Sequence, residues 1–123
     1  MTGGTPSTPQ DLFRNSPEGL ELCLAVRDYI KATVSATDRT TISQVAFRHR
    51  RAFAWVWNPR QHLKTDVPAV LSIALPRRLD SDRFKEVVQP SADVWMHHLE
   101  LRDARELDQE VAGWLREAFD AAA

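Results

Sequence analysis

Two adjacent histidines, His97 and His98, are the side chains whose type and spacing best suit chemistry in this sequence. An imidazole can ligate a metal ion or transfer a proton near neutral pH. The surrounding residues predict a β-strand, in which successive side chains point to opposite faces of the sheet. The two rings therefore cannot readily share one metal ion, and no acidic or cysteine partner stands at a recognisable ligand spacing, so we expect no metal site.

Each histidine has its own expected environment. His97 shares a strand face with apolar neighbours, which predicts a hydrogen-bonded histidine in the core or at its edge. His98 shares the opposite face with Glu100. With Lys85, these two residues could line the polar pocket of a metal-independent enzyme. A solvated or structural role for His98 is the alternative.

A run of positive charge at Arg48, Arg50 and Arg51 lies next to two tryptophans, Trp55 and Trp57. Arginines at a loop tip could contact phosphates, and indole rings could stack on bases or on a flat ligand. The alternative for the arginines is a solvated loop tip, and for the tryptophans it is a place in the core. Both alternatives stay open from the sequence.

Several familiar chemistries are excluded by what the sequence lacks. Its four glycines lie in the N-terminal segment or inside predicted helices, so no glycine-rich loop can wrap a phosphate. Neither a His-Glu-x-x-His helix nor a Gly-x-Ser-x-Gly turn occurs. The lone cysteine, Cys23, falls on the apolar side of a predicted helix, where a thiol is buried and inert. We expect no cofactor.

Length and composition predict one ordinary globular domain. The chain has 123 residues, of which 43% are hydrophobic and 27% charged, and its net charge is -1. That balance is typical of a soluble protein, and it offers no global field to attract nucleic acid or an anionic membrane. We expect a disordered tail at 1–7, a single domain at 8–123, no membrane partner and a cytoplasmic location.

Local signals predict helices at both ends of the chain. Thr8 followed by a proline is typical of a helix start, and the same signal recurs at Ser16. Apolar residues then follow at helical spacing to about Ala32. Near the C-terminus, Asp103 and Glu106 form a capping-box pattern ahead of an apolar stripe that continues to Ala118.

Between the helices, alternating patterns predict strands. Residues 44–59 predict a β-hairpin in which Phe53, Trp55 and Trp57 share a face and a four-residue loop, 48–51, joins the arms. Residues 70–75 predict a third strand, and residues 84–88 and 94–101 predict a second hairpin. The alternative to that hairpin is a short helix capped by Ser81-Asp82-Arg83. Residues 34–43 fit either a loop or a short strand.

These elements indicate an α+β fold, with an antiparallel β-sheet of about four to five strands and the N-terminal and C-terminal helices packed on it. The connections between strands are too short for the crossover helices of a parallel sheet. We expect the two long helices to share one face.

Four runs in the sequence resemble the family called domain of unknown function 5655. They are Gln-Val-Ala-Phe-Arg-His-Arg-Arg-Ala-Phe-Ala-Trp at 44–55, Leu-Ser-Ile-Ala-Leu-Pro-Arg-Arg at 71–78, Phe-Lys-Glu-Val-Val-Gln-Pro at 84–90 and Trp-Met-His-His-Leu-Glu-Leu-Arg at 95–102. The resemblance covers nearly everything after the N-terminal tail. It implies no established activity or site residue. Some relatives carry such a domain beside predicted nuclease segments, which implies a nucleic-acid context.

The sequence thus favours a small non-catalytic binding module that recognises a ligand, a protein or nucleic acid through the sheet and a basic hairpin tip. The alternative is a metal-independent enzyme, and a homodimer with sheet aromatics in its interface is a third possibility. A polar pocket would favour the enzyme, and a flat surface would favour binding. The candidate site residues are Arg48, Arg50, Arg51, His98, Glu100 and Lys85.

Overall fold

The computed structural model describes residues 7–123, so residues 1–6 of the expected disordered tail lie outside the described range. Within that range, three α-helices lie near the two ends of the chain: α1, Pro9–Leu12, α2, Pro17–Thr33, and α3, Gln109–Ala121. Single-turn 3-10 helices occupy Pro59–Gln61 and Ala104–Glu106.

Capping side chains explain where the helices begin. The Thr8 hydroxyl accepts the Asp11 N–H at the start of α1, and the Ser16 hydroxyl accepts the Gly19 N–H at the start of α2. These two starts agree with the sequence analysis. The capping box at Asp103, however, starts only the single 3-10 turn at Ala104–Glu106. The expectation that it opens the C-terminal helix was wrong, because a second cap at Asp108 starts α3.

Six strands form one antiparallel sheet in the described part of the chain, in the order β1-β2-β3-β4-β6-β5. The strands are β1, Thr37–Thr40, β2, Val45–Arg48, β3, Ala52–Trp57, β4, Ala69–Leu75, β5, Glu86–Ser91, and β6, Val94–Leu101. The α+β class is confirmed, but the expected four to five strands were too few. The additional strand, β1, is a polar edge strand that lacks an alternating apolar signal.

The first hairpin contains a β-bulge that the sequence analysis did not predict. Phe47 pairs with Ala54 while Arg48 pairs with Ala52, so β3 carries one extra residue, Phe53, at this point. Phe53 is fully buried, and its ring meets Phe119 of α3 edge-on with centroids 5.6 Å apart. The expectation that Phe53 shares a face with the tryptophans was therefore wrong.

The second hairpin is confirmed as the pair β5 and β6, and a turn rather than a helix lies at residues 82–83. β5 extends to Ser91, so Pro90 lies inside a strand. Proline is tolerated there because β5 is the last strand of the sheet and its outer edge needs no ladder hydrogen bonds.

The core lies between one sheet face and the helices. α2 and α3 pack against β3 and β4, and they also contact each other. We call this side of the sheet the covered face. Its buried side chains include Val45, Phe47, Ala54, Val56, Ala69, Leu71, Ile73, Leu75, Leu99 and Leu101. The expectation that the two long helices share one face is confirmed.

Candidate functional site

The opposite side of the sheet, which we call the open face, has no helix of residues 7–123 packed on it. Strand alternation and the pairing register identify which side chains point to this face. Trp55, Trp57 and Met96 on this face are half-buried, in contrast to the fully buried residues beneath the helices. The open face includes Thr37, Arg39, Ala46, Arg48, Ala52, Trp55, Trp57, Val70, Ser72, Ala74, Glu86, Val88, Met96, His98 and Glu100.

Three side chains form a hydrogen-bonded network at the centre of this face. The Trp57 indole N–H donates to the Ser72 hydroxyl at 2.9 Å, and the same oxygen lies 2.7 Å from Nδ1 of His98. The rings of Trp57 and His98 meet edge-on with their centroids 6.3 Å apart. Ser72 is only 4% exposed, so these bonds satisfy a hydroxyl that water barely reaches.

The imidazole of His98 is held in its neutral form. Burial lowers its pKa below the usual value, and the negative charge of Glu86 on the neighbouring strand only partly opposes that effect. A neutral ring can accept a hydrogen bond from the Ser72 hydroxyl at Nδ1. The network then runs in one direction from Trp57 through Ser72 to Nδ1 of His98, and the ring proton lies on Nε2, which has no hydrogen-bond partner within residues 7–123.

His97 lies on the covered face and is fully buried, as the strand pattern predicted. Its Nε2 accepts the Leu79 N–H at 3.0 Å, so Nδ1 carries the proton and donates to the Trp95 carbonyl at 3.0 Å. Burial lowers the pKa of this ring too. The two histidines thus face opposite sides, and residues 7–123 contain no cluster of three or more side chains that could hold a metal ion.

The Ser72 and His98 pair resembles a nucleophile and its base in distance, but its position does not suit acyl transfer. Ser72 lies inside β4, which pairs with β3 on one side and β6 on the other. Backbone N–H groups of a central strand are used in the ladders and cannot form an oxyanion hole. The hydroxyl is also nearly inaccessible, so the arrangement suits a structural network better than a reacting centre.

The residues expected around a polar pocket come together only in part. Glu100 lies on the open face, where it pairs with Val70 and is two residues from His98. Lys85 lies just before β5 and donates its backbone N–H to the His98 carbonyl at 2.8 Å. Glu86, rather than Lys85, is the cross-strand neighbour of His98.

Two surface clefts lie elsewhere in the fold. One, of about 500 Å³, is lined by residues that include Asp11, Ile42 and Asn58. The other, of about 420 Å³, lies at the end of the sheet beside Phe53 and Pro76. Neither cleft is lined by His98, Glu100 or Lys85.

The basic hairpin tip packs against the end of α3. Backbone N–H groups of Arg50 and Arg51 both donate to the Ala122 carbonyl at 3.0 Å, and the Arg51 guanidinium donates to the Ala121 carbonyl at 2.6 Å. Arg48 is directed back to the Arg50 carbonyl at 3.3 Å. The tip therefore supplies donors to the unpaired carbonyls of the helix C-terminus.

His49 completes this contact. Its ring stacks on Phe119 with centroids 3.7 Å apart, and its Nδ1 donates to the Phe119 carbonyl at 2.8 Å. The sequence analysis treated the tip as either a solvated loop or a phosphate site, and it missed this helix-capping contact. No local pattern could reveal it, because residues 49 and 119 are joined only by the folded structure.

Two residues that organise the open face, Ser72 and Glu86, were not predicted from the sequence. Ser72 is the single polar residue of the apolar strand β4, and that is a signal of a specific partner. Glu86 carried no signal, because its position opposite His98 depends on the register of β5.

The family model described as domain of unknown function (DUF5655) matches residues 10–122. No curated protein and no solved structure matches the chain significantly. In the described range, no helix combines the length and the apolar character that crossing a bilayer requires.

Proposed function

The chain belongs to the family described as domain of unknown function DUF5655, and we propose that it is a non-catalytic protein-binding module whose binding surface is the open face. One observation carries the proposal. The buried polar atoms at the centre of the open face are already bonded to one another, through Trp57, Ser72 and His98. A partner can cover this centre without leaving those atoms unpaired, while the Nε2–H of His98 stays available to an acceptor on the partner.

The composition of the open face supports a protein partner. Trp57 belongs to the network, Trp55, Met96 and Val88 lie around it, and Val88 is 39% exposed. Aromatic residues and methionine are enriched at the centres of protein interfaces, where charged residues are depleted. The charged residues of this face lie toward its two side edges, which matches the polar rim of such an interface.

The charge pattern disfavours nucleic acid as the partner. On the open face the two carboxylates of Glu86 and Glu100 balance the two arginines, Arg39 and Arg48, so this face has no excess of positive charge to attract a phosphate backbone. The backbone N–H groups of Arg50 and Arg51 and the Arg51 side chain are bonded to the end of α3. Our proposal takes the cytoplasm as its setting, where a lone buried Cys23 remains a thiol.

Site-specific photo-crosslinking tests this proposal. We would replace Trp55, on the open face, with p-benzoylphenylalanine and irradiate cells that normally make the protein. The matched control places the same residue at Leu63, which is 60% exposed in the loop after β3. We expect a protein adduct of defined mass from position 55 and none of that mass from position 63.

A second substitution makes the test specific. Adding Met96→Glu to the position 55 variant introduces a charge on the open face, and it should abolish the adduct while circular dichroism shows an intact thermal transition. If position 55 gives no adduct, or if the same adduct forms with Met96→Glu present, the open face is not the binding surface.

A further inference from the structure

We infer that the protein partner is a second copy of this chain, packed face to face through the open face about a two-fold axis parallel to the strands. This inference rests on the proposed function, because it names the occupant of the same surface. Its support is the order of side chains along one row of the open face.

That row crosses all six strands in register. Arg39 on β1 pairs with Ala46 on β2, Ala46 with Trp55 on β3, and Trp55 with Ser72 on β4. Ser72 then pairs with His98 on β6, and His98 with Glu86 on β5. The row therefore begins with an exposed arginine at one edge of the sheet and ends with an exposed glutamate at the other.

A two-fold axis parallel to the strands, between β3 and β4, reverses this row in the second copy. Arg39 of one copy then lies over Glu86 of the other, and Glu86 of the first lies over Arg39 of the second. At the centre, Trp55 lies over Ser72, and between centre and edge Ala46 lies over His98. Opposite charges meet at both edges of the sheet. Between the edges, each of the larger side chains, Trp55 and His98, lies over a smaller one, Ser72 or Ala46.

The neighbouring row fits the same operation. Trp57 pairs with Val70 across β3 and β4, so each Trp57 lies over Val70 of the other copy. Both tryptophans of one copy are then covered by small or aliphatic residues of the other. Each pair occurs twice, as the self-complementary interface of a two-fold dimer requires.

The other two-fold arrangement, with the axis perpendicular to the strands, places each edge over its own copy. With that axis along the row, Arg39 would meet Arg39, and Glu86 would meet Glu86. Like charges facing each other oppose association and exclude the wrong orientation. Charge therefore selects the axis parallel to the strands.

Sheet geometry allows this contact. Packed sheets in the aligned class cross at about 30°. This crossing separates residue 39 of one copy from residue 86 of the other by about 6 Å along the strands, a distance within the combined reach of an arginine and a glutamate. Strand spacings of about 4.8 Å and strands about 17 Å long give each copy roughly 500 Å² of open face. The total of about 1,000 Å² is near the lower limit for a specific interface, so we expect association in the micromolar range.

Sedimentation velocity of the full chain, from about 1 to 200 μM, tests the inference directly. We expect a shift from the 14.0 kDa monomer to a species of twice that mass, with weaker association at high salt because the edge pairs are exposed. Monomer at every concentration would overturn the inference. An adduct between position 55 and a different protein would then still support the proposed function.

Charge exchange identifies the axis. Arg39→Glu alone and Glu86→Arg alone should each weaken dimerisation at least tenfold, because each creates two like-charge contacts in the dimer. Neither residue forms an ion pair within residues 7–123, so both variants should fold. The double variant Arg39→Glu/Glu86→Arg should recover the original affinity, and the two single variants mixed together should form a heterodimer.

A matched control is Arg116→Glu, which makes the same charge change at an exposed position on α3, in the helical layer. It should leave dimerisation unchanged. Single exchanges at residues 39 and 86 with no effect, or a double variant that stays as weak as the single ones, would show that these residues do not face each other and would overturn the inference.

Discussion

At the residue scale, the two adjacent histidines show how far a local pattern can be used. Strand alternation predicted correctly that His97 faces the core and that His98 faces the other way. It could not predict the partners of either ring. The Leu79 N–H that reaches His97 and the Ser72 hydroxyl that reaches His98 are 18 and 26 residues away in sequence.

The buried, neutral His97 predicts a loss of stability in mild acid. Its pKa is lowered in the folded state because burial disfavours the charged ring. The unfolded chain therefore binds a proton first, at about pH 6.5, while the folded chain does not. Stability should be fully present above about pH 6.5 and should fall progressively below it. Urea unfolding between pH 8 and pH 5 measures this.

The matched variant for this prediction is His97→Gln, whose amide can still accept a hydrogen bond but does not titrate. We expect it to be less stable than the original at pH 8 but to lose less further stability on acidification. His98 has the same sign of pKa change, so some pH dependence should remain. An acid dependence identical to that of the original chain would show that His97 does not titrate differently on folding.

At the element scale, helix starts could be predicted because the capping side chains lie next to them in the sequence. Features that depend on long-range contacts could not. The starts of α1 and α2 followed from Thr8 and Ser16. The start of α3 was misplaced because two capping residues, Asp103 and Asp108, stand five positions apart and both are used. Strand β1 remained ambiguous, since a polar edge strand is defined by pairing with β2 and not by its own pattern.

The two helical glycines predict opposite effects of the same substitution. A Cβ on Gly19 would lie 2.5 Å from Cδ1 of Phe13 and 2.6 Å from the Pro68 carbonyl oxygen, so Gly19→Ala forces the backbone of a neighbouring segment to move. A Cβ on Gly113 would meet nothing within 4 Å. We expect Gly19→Ala to destabilise the domain by about 1–3 kcal/mol. Gly113→Ala should stabilise it by about 0.5–1 kcal/mol, because alanine favours the helix.

Urea unfolding of both variants at one pH tests this pair, with the original chain as reference. Because the two substitutions are chemically identical, any difference in sign must come from the surroundings of each site. Equal changes in the free energy of unfolding would show that α2 is not packed against Phe13 and Pro68 as described.

At the scale of the whole molecule, the fold class could be predicted from the order of helices and strands, and the open face could not. Recognising that face requires the strand order and the knowledge that α2 and α3 both lie on one side. The row from Arg39 to Glu86 depends on five separate registers. Register is set by pairing across the sheet, so no single strand carries that information.

The distribution of charge over the molecule predicts weak binding to nucleic acid. The net charge is -1, and acidic residues lie on the same face as the exposed parts of the tryptophans. Of the three arginines at the hairpin tip, Arg51 is bonded to α3. We expect duplex and single-stranded oligonucleotides to bind with dissociation constants weaker than about 100 μM at physiological salt. Fluorescence anisotropy at low and moderate salt measures this.

The variant Arg48→Ala/Arg50→Ala removes two charges at the tip and leaves the Arg51 bond to Ala121 intact, so its thermal transition should match that of the original chain. If the tip did contact phosphates, binding would weaken steeply with salt, by a slope of about -0.9 for each neutralised phosphate of a duplex. The variant would then reduce the magnitude of that slope by the contribution of about two phosphate contacts. Tight, salt-dependent binding that the variant reduces in this way would contradict the prediction and would support a phosphate-binding role for the tip. Equally weak binding by both proteins would leave the capping of α3 as the physical role of the tip.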